Sequence, residues 1–170
     1  KKAFVTAAHF AHKHERATSF TLSDPFCVGR FRDEFLDLIR SRTIDYVLGN
    51  VEELKSLYET DDFGKAVQAI AKDAELAAIT MGADGAMVVH NGEITTVPAY
   101  PIDRVVDATG AGDLFASGFL LAVARGQSLD TALRLGCLAA SEVITHYGAR
   151  PVEDLEALAR EKGLVGEAVA

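Results

Sequence analysis

The sequence has no tryptophan, only four prolines and only two cysteines among its 170 residues. Cys27 and Cys137 are far apart and lack the spacing of metal ligands, so reduced thiols are favoured over a disulfide framework or a zinc site. No apolar run approaches the roughly 18 residues that a membrane-spanning helix needs. The opening Lys1, Lys2 and Ala3 are not typical of a signal peptide. We therefore expect a cytoplasmic protein that does not bind a membrane.

Positive charge is also scarce. Lys and Arg together number 17 against 25 Asp and Glu, which gives a net charge of −8 at pH 7. A general nucleic-acid binder needs a basic face, so this composition argues against such a binder, and we expect no nucleic-acid partner. The hydrophobic content of 49% is ordinary for a globular protein, and the length suits one domain with a sizeable core. We expect a single domain over residues 1–170.

Strand-like and helix-like segments alternate along the chain. Apolar residues at helical spacing predict helices over 3–14, 63–74, 114–121, 129–146 and 152–161. A further helix is marked by the spacing of apolar residues within 31–39, and another is predicted to begin at 51–54. Short apolar runs predict strands over 17–22, 44–50, 76–80, 86–90, 93–97 and 105–106. Asn91 and Gly92 tolerate positive φ and predict a hairpin turn. This order predicts an α/β domain with a mostly parallel sheet, helices on both faces and one β-hairpin.

Polar motifs follow three of the predicted strands. Asn50 follows the 44–50 run, Thr80 and Gly82 follow 76–80, and residues 107–113 follow 105–106. Ligands in parallel sheets bind at the carboxyl ends of strands, so these motifs are expected to meet at one edge. A structural interpretation stays open for Asn50, which is a natural N-cap with Glu53 as its capping-box partner.

The most distinctive stretch is DATGAGD, residues 107–113. It predicts a tight turn into a helix, whose first N–H groups form an anion site because no intrahelical carbonyl binds them. The small residues Gly110 and Gly112 let an anion approach the backbone. For simple anion binding a carboxylate at position 113 is unexpected, because it would repel the anion. Its presence is explained if Asp113 takes a proton from a nucleophile that attacks a phosphoryl group. Alternatively, the glycines only permit a turn and Asp113 is a helix-start charge.

These motifs resemble the PfkB (ribokinase-like) family of ATP-dependent sugar and nucleoside kinases. Residues 107–119, DATGAGDLFASGF, are similar to that family's C-terminal signature. Gly49–Glu53 resembles its NxxE motif, and Thr80–Gly85 resembles its TxGxxG nucleotide loop. The similarity extends through residues 148–151. The resemblance implies a ribokinase-like fold and phosphoryl transfer from ATP to a small-molecule nucleoside or sugar.

The resemblance also implies roles for individual residues. Asp113 would be the base, and the backbone N–H groups of Gly110, Ala111 and Gly112 would form the anion hole. Asn50 and Glu53 would act on Mg²⁺ through its waters. The positions expected to line the nucleotide site are Thr80, Gly82, Gly85 and Cys137. The positions expected near a monovalent cation such as K⁺ are Asp107, Thr109, Val143, His146 and Gly148.

Family members are about twice as long as this chain. Their N-terminal half carries most substrate contacts and the lid, so the resemblance implies that both are absent here and that the chain alone is poorly active. A homodimer is expected of the longer protein. Leu22–Phe26 and the context of Glu52 and Glu53 look more like adenosine kinases than like ribokinases or fructokinases. Adenosine is therefore the favoured acceptor, with a sugar as the alternative.

Two other classes of protein remain to be weighed. A dinucleotide-dependent oxidoreductase is disfavoured, because Phe115 stands where its glycine motif needs a third glycine and Asp113 would repel a pyrophosphate. A non-catalytic nucleotide-binding module is consistent with the short chain. Such a module would not need the residues with proposed catalytic roles, all of which are present in this sequence.

Overall fold

The computed structural model describes residues 2–165, and five strands in this range form one sheet in the order β1-β2-β3-β4-β5. The strands are β1 (Ser19–Thr21), β2 (Tyr46–Asn50), β3 (Leu76–Thr80), β4 (Ala86–His90) and β5 (Glu93–Val97). β1 and β3 both run parallel to β2, with Ser19 opposite Tyr46 and Tyr46 opposite Leu76. Asn91 and Gly92, at φ 52° and 79°, form the predicted hairpin turn between β4 and β5. The α/β class is confirmed.

Seven helices accompany these strands in the described range. They are α1 (Lys2–Lys13), α2 (Pro25–Arg40), α3 (Val51–Leu57), α4 (Phe63–Asp73), α5 (Ala111–Ala124), α6 (Leu129–Val143) and α7 (Leu155–Glu161). Side-chain caps explain where many of them begin. Ser128 caps α6 as predicted, by accepting a hydrogen bond from the N–H of Thr131. α2 is kinked at Phe31, where φ and ψ leave the helical region.

One predicted strand and two predicted helix boundaries were wrong. Residues 105–106 form no strand, because the N–H of Val106 donates to the carbonyl oxygen of Ile144 at 2.8 Å instead of to a neighbouring strand. The 107–113 motif is therefore reached through a loop. α6 ends at Val143 rather than near residue 146. α7 begins at Leu155 rather than at 152, because Asp154 accepts the N–H groups of its first turn.

The chain folds into two compact units. The first holds the residues up to Met81 together with Val88–Ile94, and the second holds Gly82–Met87 and the residues from Thr95 onward. In the first unit, all four residues from Leu76 to Ile79 are buried, so this strand is covered on both faces. α3 and α4 add the buried side chains of Leu54, Leu57 and Ile70.

The core of the second unit is built where α5 meets α6. Phe115 and Phe119 are buried and stack with ring centroids 6.0 Å apart. The two helices approach most closely at a pair of glycines. A Cβ added to Gly118 would lie 2.6 Å from the carbonyl oxygen of Leu135, and one added to Gly136 would lie 2.8 Å from that of Phe115. Backbone atoms thus leave no room for a side chain at either glycine.

This contact predicts that Gly118→Ala destabilises the protein by about 1–3 kcal/mol, because the added methyl group meets backbone that cannot move aside cheaply. Helix propensity alone predicts the opposite, a gain of about 1 kcal/mol. Chemical denaturation measures the difference. Gly29→Ala in α2 is the matched control, because its Cβ meets only the Ser56 hydroxyl at an ordinary 3.6 Å. Equal effects of the two substitutions would contradict the close helix contact.

Candidate active site

The 107–113 motif begins with a carboxylate that binds both its own turn and a distant loop. Asp107 Oδ1 accepts the N–H of Thr109 at 2.9 Å and the Thr109 hydroxyl at 2.7 Å. Its Oδ2 accepts the N–H of Gly148 at 3.0 Å. The Thr109 hydroxyl, followed by these two N–H groups, lowers the pKa of Asp107 to about 2. The carboxylate therefore remains ionised at neutral pH, and His146 adds a smaller electrostatic contribution in the same direction.

Gly110 then turns the chain into α5. It is the N-cap residue, in the left-handed conformation at φ 84°, and it forms no side-chain cap. A Cβ added there would lie 2.8 Å from the Cβ and 2.9 Å from the Cα of Ala149. Both the positive φ and this close approach require glycine. The loop that contains Gly148 and Ala149 therefore packs directly on the turn that precedes the helix.

The start of α5 offers backbone donors to a ligand. The first N–H groups of a helix have no intrahelical acceptor. Here the Ala111 N–H reaches the carbonyl oxygen of Ala108 at 3.2 Å, near the long end of the normal range. A Cβ added to Gly112 would meet no heavy atom within 4 Å, so the space above this turn is open. Asp113 is exposed in the same first turn of α5.

Of the five residues predicted near a monovalent cation, three are joined by hydrogen bonds and two are described by other contacts. Asp107, Thr109 and Gly148 are joined by hydrogen bonds. Val143 is the buried last residue of α6. His146 has its Nε2 3.2 Å from Glu142 Oε1 and its Nδ1 3.3 Å from the carbonyl oxygen of Tyr147. Within residues 2–165 no group of three or more His, Cys, Asp or Glu side chains could hold a metal ion.

Asn50 and Glu53 form the capping box that the sequence predicts at the start of α3. The N–H of Glu53 donates to Asn50 Oδ1, and the N–H of Asn50 donates to Glu53 Oε2, both at 2.9 Å. The Asn50 amide also donates to Glu53 Oε1 at 2.7 Å. Burial raises the pKa of Glu53, which is 5% exposed, and the charge of Asp24 raises it further. Hydrogen bonds from Asn50 oppose both effects.

The first unit also places Thr80 beside this capping box. Asn50 and Thr80 are direct neighbours in the register of β2 and β3. The Thr80 hydroxyl donates to the carbonyl oxygen of Gly49 at 3.4 Å. A Cβ added to Gly49 would lie 2.9 Å from Glu53 Oε2, so glycine keeps room for that carboxylate. Asn50 and Thr80 thus meet at the carboxyl ends of their strands, as the sequence predicts.

The other residues predicted to line the nucleotide site belong to the second unit. Gly82 is the first residue of a 3₁₀ turn, Gly82–Asp84, and Gly85 follows the turn, with φ of 61° and 96° respectively. A Cβ added to Gly85 would lie 2.1 Å from the carbonyl oxygen of Val97, whereas one added to Gly82 would meet nothing within 4 Å. Cys137 is a free thiol in α6, and burial raises its pKa to about 11. It is therefore neutral and unreactive at physiological pH.

Sequence reasoning missed Glu142, which is only 8% exposed. Its Oε1 accepts the N–H groups of Val152 at 2.8 Å and Glu153 at 2.9 Å. Its Oε2 is buried and finds no hydrogen-bond partner among the described residues. A sequence signal exists, because residue 142 follows Leu138 by four positions and lies on the apolar face of α6. A charged residue on such a face indicates a buried partner.

The hydrogen bonds of Asp107 predict a pH-dependent contribution to stability. Its ordinary pKa of 3.8 falls to about 2 in the folded protein, so the contribution is complete above pH 3.8 and is lost as the pH falls toward 2. Asp107→Asn should flatten the stability curve between these values, as measured by denaturation at several pH values. Asp103→Asn, at a nearby exposed aspartate, should leave the curve unchanged. A wild-type curve that is already flat there contradicts the assignment.

The chain is similar to known kinases in sequence. Residues 1–155 match the family described as pfkB family carbohydrate kinase. The adenosine kinase of Schizosaccharomyces pombe is 32% identical over 161 residues, which cover 86% of this chain and 47% of that protein. The chain therefore spans about half the length of this relative. No helix within residues 2–165 is long and apolar enough to cross a membrane.

Two solved structures have nearly the same fold. A probable sugar kinase from Rhizobium etli superposes with a TM-score of 0.94 at 50% identity, over 96% of this chain and 49% of the other. The adenosine kinase of Sinorhizobium meliloti gives a TM-score of 0.92 at 48% identity, over 94% and 49% of the respective chains. The motifs, the fold and these similarities show that the chain belongs to the pfkB family of carbohydrate kinases.

Proposed function

We propose that the protein transfers a phosphoryl group from ATP to a hydroxyl group of a nucleoside, with adenosine as the favoured acceptor. The start of α5 carries this proposal. It combines a left-handed Gly110, open space above Gly112 and an exposed carboxylate on Asp113. The adenosine kinases of S. pombe and S. meliloti among its relatives support adenosine. ATP, when bound, supplies the phosphoryl group that is transferred.

In this proposal the start of α5 stabilises the charge that develops during transfer. The N–H groups of Gly110, Ala111 and Gly112 donate to the transferred group, and Ala111 exchanges its long bond to Ala108 for one to the ligand. Asp113 would take the proton from the attacking hydroxyl group, whose oxygen bonds to the transferred phosphorus as the bond from that phosphorus to ADP breaks and ADP leaves. The neighbouring turn is held by Asp107, so the exchange at Ala111 is the one change of hydrogen-bond partner that this proposal requires of the turn.

The capping box suits an indirect contact with Mg²⁺. Both Glu53 oxygens accept hydrogen bonds from Asn50, which hold the carboxylate in one orientation at the start of α3. Mg²⁺ keeps several of its waters in proteins, and a fixed carboxylate and amide can orient those waters. We propose that Asn50 and Glu53 act in this way. Asp107 and the backbone of Thr109, Val143, His146 and Gly148 would hold a monovalent cation such as K⁺.

The nucleotide would be bound by the remaining predicted residues. Gly82 leaves open space for a ligand to approach its backbone. Cys137 offers a buried, neutral thiol, which suits contact with an adenine ring better than a charged group would. Thr80 and Gly85 complete the proposed set. Because the chain spans about half the length of its relatives, we expect residues 1–170 alone to turn over slowly.

A sugar is the second candidate acceptor. The probable sugar kinase from R. etli, at 50% identity, favours it. Assays of the native-length protein with adenosine, ribose and fructose at equal concentrations separate the two possibilities. Turnover of a sugar without turnover of adenosine would overturn the nucleoside proposal and leave the phosphoryl-transfer chemistry in place. Nucleotide binding without transfer to any acceptor would indicate a non-catalytic module.

The role of Asp113 predicts that Asp113→Asn lowers kcat by about 10²-fold or more, because the amide cannot accept the proton. ATP binding, measured by calorimetry, should largely survive. Asp130→Asn is the matched control, since Asp130 is likewise an acid in the first turn of a helix, α6. If Asp113 were only a helix-start charge, both variants would lose about 0.3–1 kcal/mol of stability and keep their kcat.

The role of Glu53 predicts that Glu53→Gln raises the Mg²⁺ concentration needed for half-maximal turnover by about 10- to 100-fold, because the outer-shell charge is lost. Asp62→Ala controls for the loss of a helix cap. Asp62 caps α4 in the same unit by accepting the N–H of Lys65. Asp62→Ala should lower the thermal midpoint without changing the Mg²⁺ dependence. The same Mg²⁺ dependence in both variants would mean that Glu53 serves the helix only.

A further inference from the structure

The loop after α6, residues 144–153, touches the 107–113 motif and its approach at three places. The carbonyl oxygen of Ile144 accepts the N–H of Val106 at 2.8 Å, and the N–H of Gly148 donates to Asp107 Oδ2 at 3.0 Å. Ala149 lies where a side chain on Gly110 would have to be. The position of this loop therefore determines the shape of the turn that leads into α5.

Glu142 holds this loop at its far end. The side chain leaves α6 two residues before the loop begins, and its Oε1 accepts the N–H groups of Val152 and Glu153, where the loop ends. Nε2 of His146, inside the loop, is 3.2 Å from the same oxygen. One buried oxygen atom thus closes the loop on itself across ten residues. The motif and this oxygen thus contact different residues of the same short segment.

The way Glu142 is buried argues against a role in stability alone. Its Oε2 is buried without a hydrogen-bond partner among the described residues. An unpartnered buried carboxylate oxygen costs stability, and apolar replacements of buried charges are often neutral or stabilising. The N–H groups of residues 152 and 153 share one acceptor, Glu142 Oε1. An apolar side chain at position 142 would leave both N–H groups without it.

We propose that Glu142 is a positioning residue, which fixes the 144–153 loop against Asp107 and Gly110 and so holds the anion-binding start of α5 in its working geometry. The part of this proposal that concerns turnover rests on the proposed phosphoryl transfer. The part that concerns the loop stands on the hydrogen bonds alone. In this scheme Glu142 acts through the 144–153 loop, whose Gly148 and Ala149 contact Asp107 and Gly110.

Three variants test the proposal. Glu142→Met keeps most of the side-chain volume but offers no strong acceptor, whereas Glu142→Gln keeps an acceptor oxygen without the charge. Asp154→Ala is the matched control. Asp154 Oδ1 also accepts two backbone N–H groups, those of Glu156 at 2.9 Å and Ala157 at 3.1 Å, but it does so at the exposed start of α7.

Backbone amide NMR spectra report directly on the loop. Glu142→Met should shift the amide resonances of Gly110, Gly112 and Gly148, and Glu142→Gln should restore them. Asp154→Ala should leave the three resonances in place while lowering the thermal midpoint. Unshifted glycine resonances in the methionine variant would overturn the proposal, as would shifts of equal size in the glutamine variant.

Hydrogen exchange in the unmodified protein keeps the test decisive if Glu142→Met does not fold. The amide protons of Val152 and Glu153 should exchange slowly, together with that of Gly148, because all three are bound to carboxylate oxygens. Exchange of residues 152 and 153 at the rate of an unstructured peptide would refute the anchoring role of Glu142.

Kinetics of the native-length protein test the consequence for turnover. Glu142→Met should lower kcat by about 10- to 100-fold, as expected when reacting groups are displaced by about 1 Å. The KM for the acceptor should not change, and Glu142→Gln should recover most of the loss. A methionine variant with the wild-type kcat would overturn the proposal. If the unmodified protein phosphorylates no nucleoside or sugar, the proposed function fails instead, and the NMR spectra still decide the role of Glu142.

Discussion

The three hydrogen bonds of Asp107 are the constraint on which the candidate site depends. They connect the turn at Thr109 to the loop at Gly148, which lies 41 residues after Asp107 in the chain. Its donors stabilise the charged form of the carboxylate and so lower its pKa to about 2. A charged acceptor forms stronger hydrogen bonds than a neutral one. The turn into α5 is therefore held from outside rather than by its own backbone alone.

Glycine supplies the second constraint, because several parts of the second unit meet backbone to backbone. Gly110 makes room for Ala149, and Gly118 and Gly136 let α5 and α6 come together. These contacts make the positions of the 144–153 loop, α5 and α6 depend on one another. The start of α5 is therefore held in place by the elements packed against it. N–H donors that are fixed in this way before a ligand binds are the kind that can stabilise developing charge.

Asn50 and Glu53 form a capping box at the start of α3, and the proposed indirect contact with Mg²⁺ rests on the same two residues. Their reciprocal hydrogen bonds satisfy N–H groups at the start of α3, and this alone explains the residues. The same bonds keep a buried carboxylate in one orientation beside the end of β3, where Thr80 lies. Because these hydrogen bonds fix both side chains for the helix, the same side chains would also be held in fixed positions for a bound ligand. The functional interpretation therefore adds to the structural one.

The sequence by itself determined the features that depend on near neighbours. The hairpin at Asn91 and Gly92, the capping box of α3 and the cap at Ser128 were predictable, because each involves residues within four positions of one another. Residues 105–106 were assigned wrongly as a strand, since nothing local shows that Val106 binds the distant Ile144. The parallel pairing of β1, β2 and β3 followed from the alternation of strands and helices.

Only the tertiary structure decided how the motif is supported. The bond from Gly148 to Asp107, the contact of Ala149 with Gly110 and the anchoring of Val152 by Glu142 join segments that no sequence period relates. A sequence motif identifies which residues can donate or accept hydrogen bonds and which can take up a proton. The direction in which they point is set by the segment packed behind them. Chain folding alone brings that segment into place, because its contacts depend on distance in space and not on position along the sequence.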